Sequence, residues 1–387
     1  MITIDYVKHL AFPRAMGSQG EKKAQDLIQK NIDRSSINVH SESFQYSHGL
    51  SIVMRLMFVC ALLSIVIFNL IANASPWFSL SAIMILAIPA GIIGKNLLAF
   101  KIPNWGEKQI GKNIVAEIPA KDSERKTILL TAHYDSISSR IPTSIYKILF
   151  MLLGANAFFI GIVILMANIG DLAGLSNDYV EMLDQFTRYA SIPAFMLILI
   201  LLINKKENKS HGACDNGTGI AILLRLLHIF SQSQSLKNSS FKCIFTGAEE
   251  LGLWGSRAFI ERHGTWLEQR KSSIYIINVD MVGSEIAYLD KIGLISKKPL
   301  NHELNKIIQR SSEKLDIEVR AFGSMLGSSS DFAPFLLEGF EVCTFTSMKD
   351  KQIHSGNDRI EYLSPERLED AVHLLKEVIL TIDAKEQ

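Results

Sequence analysis

The stretch Thr127-Ile-Leu-Leu-Thr-Ala-His-Tyr-Asp135 carries the clearest structural signal in this chain of 387 residues. Residues 127–132 form a short, uncharged run that is rich in β-branched or apolar side chains, a pattern typical of a buried strand. His133 and Asp135 follow at once, where the strand ends. Ligand sites of open α/β sheets lie at such strand ends, so this stretch predicts both a sheet and the edge that carries its chemistry.

The surrounding sequence alternates short apolar runs with helical runs. Strand-like runs cover residues 37–44, 113–118, 127–132, 241–246, 274–279 and 341–346. Apolar residues at helical spacing cover residues 21–32, 217–230, 254–261, 301–315 and 365–382. This alternation predicts an α/β sheet covered by helices.

The composition separates this chain from ordinary soluble proteins and from several classes of binding protein. Hydrophobic residues make up 48% of it and charged residues only 20%, with a mean hydropathy of +0.19. The formal net charge of +1 argues against nucleic-acid binding through a broad basic surface, so we expect no nucleic-acid partner. The cysteines are scattered, with no closely spaced pair, which argues against a disulfide scaffold and a cysteine-rich zinc finger.

The apolar excess lies in two blocks, residues 51–100 and 144–204. Each block is long enough for a helical hairpin across the roughly 30 Å hydrocarbon core of a bilayer. We therefore predict four transmembrane spans in two hairpins, with buried core helices as the alternative. The spans are predicted at residues 56–72, 77–94, 148–170 and 189–204.

The remaining residues, 1–50, 101–143 and 205–387, are predicted to form one discontinuous globular domain. Because each hairpin returns to its starting side, all three pieces share one side of the membrane. Positive charge flanks the hairpin bases on that side, whereas the far-side loops carry mainly acidic residues. Positive charge marks the cytoplasmic side, so we predict a multi-pass membrane protein with a cytoplasmic globular domain.

Four further motifs place candidate ligands or bases where apolar runs end or polar turns begin. In Gly212-Ala-Cys-Asp-Asn-Gly-Thr-Gly219, Asp215 is either a carboxylate that bridges two metals or a helix cap. In Gly247-Ala-Glu-Glu-Leu-Gly252, the paired carboxylates suit a base beside a metal ligand, or a favourable charge at a helix start. The other two motifs are Asn278-Val-Asp-Met-Val-Gly283, which contains Asp280, and Ile353-His-Ser-Gly-Asn-Asp358, which contains His354.

Taken together, two imidazoles and three carboxylates suit two zinc ions that share one bridging carboxylate. The order and surroundings of these residues closely resemble the co-catalytic di-zinc aminopeptidase family, which also includes aminopeptidase Y and the glutaminyl cyclases. The resemblance extends to Pro13-Arg14-Ala-Met-Gly-Ser18 and to the Ser330-Asp331 turn. It implies a mixed central sheet flanked by helices, with the two hairpins as insertions. The implied zinc ligands are His133, Asp215, Glu250, Asp280 and His354.

The resemblance also implies how these ligands divide between two Zn2+ ions. Asp215 bridges the ions, and His133 and Asp280 complete one site. Glu250 and His354 complete the other.

Three further residues are expected to act beside the ligands or to shape the substrate pocket. Glu249 is implied to be the general base that takes a proton from the attacking water. Asp135 is expected to orient the His133 imidazole. Family members often carry His after the Asp of the late turn, where this chain has Phe332, so this departure concerns the substrate pocket rather than catalysis.

Three functions are compatible with these motifs. The first is a membrane-anchored zinc aminopeptidase that hydrolyses N-terminal residues of peptides. The second is a glutaminyl-peptide cyclotransferase, and the third is a catalytically inactive membrane scaffold of the same fold. The complete ligand set and the base favour the peptidase. Because the second hairpin lies between His133 and Asp215, we expect a site open toward the bilayer surface and a preference for hydrophobic peptides.

Overall fold

The computed structural model describes residues 2–70, 95, 103–233, 236–293, 296–324 and 330–385. The chain divides into two compact units. The first comprises Met1–Ser47, Glu107–Ser138 and Glu207–Gln387, and the second comprises His48–Gly106 and Ser139–Lys206.

Strands and helices alternate along the described residues. The strands are β1 Asn38–Tyr46, β2 Gln109–Ile118, β3 Lys126–His133, β4 Ser138–Ser139, β5 Lys206–Glu207, β6 Ser239–Thr246, β7 Ile274–Val279, β8 Ala287–Ile292, β9 Lys298–Pro299, β10 Arg320–Ser324 and β11 Val342–Thr346. The helices are α1 Thr3–Leu10, α2 Gln19–Lys30, α3 Gly49–Leu70, α4 Thr143–Leu172, α5 Asn177–Ile203, α6 Thr218–Ser233, α7 Trp254–Gln269, α8 Leu304–Leu315, α9 Phe332–Leu337 and α10 Pro365–Ala384.

The larger sheet lies in the first unit and is mixed. Its strand order is β1-β2-β6-β3-β7-β11-β8-β10, with β9 paired to β8. The central strands β6, β3, β7 and β11 are parallel to one another, whereas β1, β2 and β8 add antiparallel pairs. Every residue of β3 is buried, which is typical of a central parallel strand. The predicted α/β fold with a mixed sheet flanked by helices is confirmed.

The strands and helices predicted outside the two apolar blocks are present, and the structure adds several that the sequence pattern did not indicate. All the predicted strands occur, with ends that differ by a few residues. Helix α7 continues to Gln269, beyond the predicted end at residue 261. The additional elements include α1, β8 and β10, and β10 is mostly exposed or half-buried, so it lacks the apolar run that marks a buried strand.

The parallel strands bring their carboxyl ends to one edge of the sheet. His133, at the end of β3, lies opposite Thr246 at the end of β6. On the other side of β3, Thr131 pairs with Asn278, and Val279 at the end of β7 pairs with Phe345 of β11. The segments that follow β3, β6 and β7 therefore begin side by side.

The second unit contains α3, α4 and α5, each long and apolar enough to cross a membrane. Helix α4 packs along α5, and α3 also contacts α5. Asn69 of α3 donates a hydrogen bond from Nδ2 to Ser191 Oγ of α5 at 2.9 Å. The three helices overlap the spans predicted at 56–72, 148–170 and 189–204, while the span predicted at 77–94 lies outside the described residues.

The two ends of the second hairpin lie next to each other. The Arg140 N–H donates to the Lys205 carbonyl at 3.0 Å. The Ile141 N–H donates to Asn204 Oδ1, also at 3.0 Å. The chain therefore enters and leaves this hairpin at neighbouring points.

The buried central strand should dominate the stability of the first unit. Ile128→Ala in β3 is expected to lower the free energy of unfolding by about 2–5 kcal/mol, because it leaves a cavity in a close-packed core. Ile110→Ala in β2 is the matched control, since Ile110 is 62% exposed whereas Ile128 is 0% exposed. Urea unfolding in detergent, followed by tryptophan fluorescence, measures both. Equal losses in the two variants would contradict the assignment of β3 to the core.

Candidate metal centre

Strand ends and two turns carry the five candidate ligands, all within the first unit. His133 ends β3, Glu250 follows β6, and Asp280 follows β7. Asp215 lies in the turn just before α6, and His354 lies between β11 and α10. The parallel arrangement of the strands explains why residues so far apart in sequence meet.

Asp215 lies between the two histidines and contacts both. Its Oδ1 is 3.1 Å from Nε2 of His133, and its Oδ2 is 2.9 Å from Nε2 of His354. Asp280 Oδ1 is 3.3 Å from the same nitrogen of His133, and Glu250 Oε1 is 3.2 Å from Nε2 of His354. The five residues thus form two groups of three that share Asp215, and within each group the ligand atoms lie within 4.8 Å of one another.

The charges of this cluster favour cations. Burial by itself would raise the pKa of Asp215, but its contacts with His354 and His133 hold that pKa well below the usual range. Burial would lower the pKa of His133, but the charge of Glu249 and the contacts with Asp215 and Asp280 outweigh it and raise that pKa. Burial would also lower the pKa of His354, but the charges of Glu250 and Asp215 outweigh it and raise that pKa. A carboxylate-rich site that stabilises protonated imidazoles would also stabilise a divalent cation, so the residues fit zinc.

The orientation of the His133 ring leaves one nitrogen directed at the carboxylates. Its Nδ1 lies 3.0 Å from the backbone carbonyl of Asp135, and a carbonyl can only accept, so Nδ1 is the donor. Nε2 faces Asp215 and Asp280, and its lone pair would point to a metal held between these carboxylates once the ring is neutral. The sequence prediction attributed this orientation to the Asp135 side chain, whose nearest oxygen is 3.7 Å from Nδ1. The Nδ1–H of the ring donates its hydrogen bond to the Asp135 backbone carbonyl.

The Asp135 carboxylate instead holds the segment that carries both glutamates. Its Oδ1 accepts the Glu249 N–H at 3.1 Å, and its Oδ2 accepts the Glu250 N–H at 3.2 Å. Burial raises the pKa of Asp135 to about 7, and the charge of Glu250 adds to this effect. Asp135 therefore connects the His133 strand to the position of Glu250.

Glu249 is close enough to His133, Glu250 and Asp280 to interact electrostatically with them, but it belongs to neither ligand group. It is half-buried. Burial raises its pKa well above the usual range, and the charges of Glu250 and Asp280 add to this, against an opposing effect of His133. Its position and its affinity for a proton suit a group that accepts one.

Asp358 supports the centre in a way that the sequence prediction did not identify. Its Oδ1 accepts the Cys214 N–H at 2.7 Å, and its Oδ2 accepts the Asp215 N–H at 3.1 Å. Burial raises its pKa to about 6, and the charge of Asp215 contributes in the same direction. The sequence offered one signal, because Asp358 lies in the same polar turn as His354.

Arg14 is a fully buried cation close to this cluster. Its guanidinium donates to the carbonyls of Tyr134 at 2.8 Å, His211 at 2.8 Å and Gly212 at 2.9 Å, and also to the carbonyl of Leu10. Burial lowers its pKa to about 10, although the nearby carboxylates oppose this. Arg14 thus joins the segments that follow His133 and precede Asp215.

The late Ser330-Asp331 turn lies at the start of α9. Asp331 is fully buried and accepts a hydrogen bond from the Thr246 hydroxyl. Phe332 is 2% exposed, so the residue that stands where family members often carry His is a core residue in this chain.

Comparison with known proteins finds that the second half of the chain is similar to a peptidase family. Residues 197–379 match the model of peptidase family M28. Aminopeptidase YwaD of Bacillus subtilis is 30% identical over 187 residues, which are 46% of this chain and 39% of that protein. A vacuolar membrane protease of Candida glabrata is 30% identical over 172 residues, which are 41% of this chain and 16% of that protein. The chain thus spans less than half the length of these relatives, and the resemblance predicted from the motifs is confirmed.

Solved structures share the fold over nearly the whole chain. LapB from Legionella pneumophila has a TM-score of 0.54 at 14% identity, covering 99% of this chain and 72% of that one. An aminopeptidase from Aneurinibacillus sp. strain AM-1 has a TM-score of 0.54 at 14% identity, covering 97% and 92%. A glutaminyl cyclase from an Acidobacteriales bacterium has a TM-score of 0.53 at 14% identity, covering 99% and 92%. At this identity the similarity establishes the fold alone.

Arg14 should be essential to the segments around the metal centre. Arg14→Lys is expected to lower the free energy of unfolding by roughly 3 kcal/mol or more, because one ammonium group cannot reach all the carbonyls that the guanidinium fork serves. Arg34→Lys is the control, since Arg34 is exposed and bonds only to Gln29 Oε1 at 2.9 Å among the described residues. Urea unfolding in the presence of a chelator removes any contribution from metal. A small loss for Arg14→Lys, similar to that of the control, would contradict this role.

Proposed function

Because residues 197–379 match peptidase family M28, we propose that this chain is a membrane-anchored, zinc-dependent aminopeptidase that hydrolyses N-terminal residues of peptides. The observation that carries the proposal is the pair of ligand groups sharing Asp215, with Glu249 beside them. The relative of B. subtilis, named an aminopeptidase, supports the same reaction class.

The chain's own residues would hold two zinc ions. His133, Asp215 and Asp280 would hold one ion, and Asp215, Glu250 and His354 the other, with Asp215 as the bridge. When bound, zinc supplies Lewis-acid polarisation of the scissile carbonyl and acidification of a water molecule.

Glu249 is proposed to move the proton of this hydrolysis. Its carboxylate accepts a proton as the water oxygen bonds to the carbonyl carbon, and it then donates that proton to the amine nitrogen as the C–N bond breaks. The hydrogen bond from the Glu249 N–H to Asp135 keeps the backbone of the base in place throughout.

Two alternatives share the fold and are separated by what the protein releases. A glutaminyl-peptide cyclotransferase would release ammonia from a peptide that begins with Gln, without hydrolysing it. An inactive scaffold would release neither product. The two intact ligand groups and the nearby Glu249 favour hydrolysis over both.

Glu249→Gln is the direct test of the proposed chemistry. It is expected to lower the release of amino acids from unblocked peptides by about 100-fold or more, because the amide cannot accept the proton. Glu261→Gln on α7 is the control with the same chemical change at an exposed position. Amino-acid and ammonia release are measured on soluble and hydrophobic peptides, including one that begins with Gln, with chelator and zinc add-back.

The outcomes of that assay divide cleanly. Chelator-sensitive release that is lost in Glu249→Gln and kept in Glu261→Gln supports the aminopeptidase. Ammonia without hydrolysis would replace it with the cyclotransferase. If zinc is bound and no peptide yields a product, the inactive scaffold would be the remaining function.

We also propose that the two apolar blocks form membrane-spanning hairpins and that the peptidase unit is cytoplasmic. Cysteine labelling in intact cells tests the orientation, in a background where the exposed Cys60 is replaced by Ala. Ser176 lies in the exposed loop between α4 and α5, and Glu318 is exposed in the first unit. An impermeant maleimide should label Ser176→Cys in intact cells and Glu318→Cys only after lysis, since the bilayer separates the two. The opposite pattern would show the reverse orientation. Labelling of both cysteines in intact cells would contradict the proposal that this hairpin spans the membrane.

A further inference from the structure

Asn216, the residue after Asp215, holds the chain on both sides of Asp280. Its side chain is 0% exposed. Its Nδ2 donates to the Val279 carbonyl at 2.9 Å, and its Oδ1 accepts the Met281 N–H at 3.2 Å. We propose that Asn216 is a positioning residue that sets Asp280 against Asp215 and so closes the zinc site containing His133, an inference that rests on the proposed function.

The segment after β7 needs such an anchor because its backbone is unfavourable by itself. Met281 has φ of +61°, a left-handed conformation that is costly for any residue with a Cβ atom. Such a conformation persists only where the surroundings fix it. The hydrogen bond from the Met281 N–H to Asn216 supplies one such constraint, and the bond from the Asp280 N–H to the Phe345 carbonyl at 2.9 Å supplies another.

The first turn of α6 packs against the Asn216 side chain. Asn216 Oδ1 also accepts the Gly219 N–H at 2.9 Å. A Cβ atom at residue 219 would lie 2.4 Å from Asn216 Oδ1 and 2.4 Å from the Val279 carbonyl oxygen. The close approach of α6 to the end of β7 therefore requires glycine at 219, and it provides a second way to disturb the anchor.

Asn216 supports the ligand group that contains Asp280, whereas other residues support the group that contains Glu250. Asn216 bonds to the residues flanking Asp280, which contacts His133. The backbone of Glu250 is held by Asp135, and the backbone of Asp215 is held by Asp358. Loss of the Asn216 amide should therefore weaken the binding of one zinc ion and spare the other.

Zinc titration of the metal-free full-length protein in detergent, against a chromophoric chelator, tests this asymmetry. The wild type is expected to bind two zinc ions. In Asn216→Ala, one ion should bind about 10- to 100-fold more weakly, the usual effect of losing a residue that orients a ligand. The second ion should keep its affinity.

Asn301→Ala is the matched control. Asn301 is also a buried asparagine in the first unit. Its Nδ2 donates at 2.9 Å to the carbonyl of Val342, the first residue of β11, and its Oδ1 accepts at 2.8 Å the N–H of Asn305 in α8, so neither bond lies at the metal centre. It should lower the melting temperature as Asn216→Ala does, and still bind both zinc ions with wild-type affinity. A purely structural role for Asn216 would make the two variants alike.

Hydrogen exchange of the metal-free protein gives a readout independent of zinc and activity. The peptide that contains Met281 should exchange faster in Asn216→Ala than in wild type or Asn301→Ala. If Asn216→Ala does not fold, Gly219→Ala takes its place, with the same two expectations.

The failures are distinguishable. Two zinc ions bound with wild-type affinity by Asn216→Ala and Gly219→Ala would overturn the role of Asn216 and leave the proposed aminopeptidase intact. A wild type that binds fewer than two zinc ions would overturn the two-ion site, and this inference with it.

Discussion

Mutual repulsion among buried carboxylates is the constraint around which the first unit is organised. Asp215, Asp280 and Glu250 converge on two imidazoles, with Glu249 and Asp135 close by. Acidic groups removed from water lose their hydration and repel one another, so they stay together only where donors or cations compensate them. Backbone N–H groups, two histidines and the buried Arg14 provide that compensation in the protein, and zinc would add to it.

The supporting hydrogen bonds run from each ligand segment to a different one. Asp135 stands beside His133 and holds the glutamate segment, whereas Asp358 stands beside His354 and holds Asp215. Asn216 continues the series toward Asp280. The backbone at Glu250, at Asp215 and on both sides of Asp280 is thus held by a residue close in sequence to another ligand, which positions these three carboxylates together.

The chain order shows where the hairpin of apolar helices α4 and α5 is inserted. Helices α4 and α5 lie in sequence between His133 and Asp215, yet the ends of this hairpin are joined by short backbone contacts at Arg140 and Ile141. An insertion whose ends are adjacent adds little constraint on the strand before it or the helix after it. Both helices expose many large apolar side chains.

The sequence by itself determined the sheet, the three apolar helices and the identity of the candidate ligands. The apolar runs before His133 and Asp280, and the long uncharged stretches, are local patterns that hydrophobic burial imposes. Strand β10 was not predicted, because an exposed edge strand needs no run of apolar residues. Only the tertiary structure decided that Asp135 holds the glutamates, that Arg14 joins distant turns, and that Asn216 bonds to both neighbours of Asp280. Each of these contacts joins residues far apart in sequence, and a hydrogen bond depends on distance and angle in space, which no local pattern records.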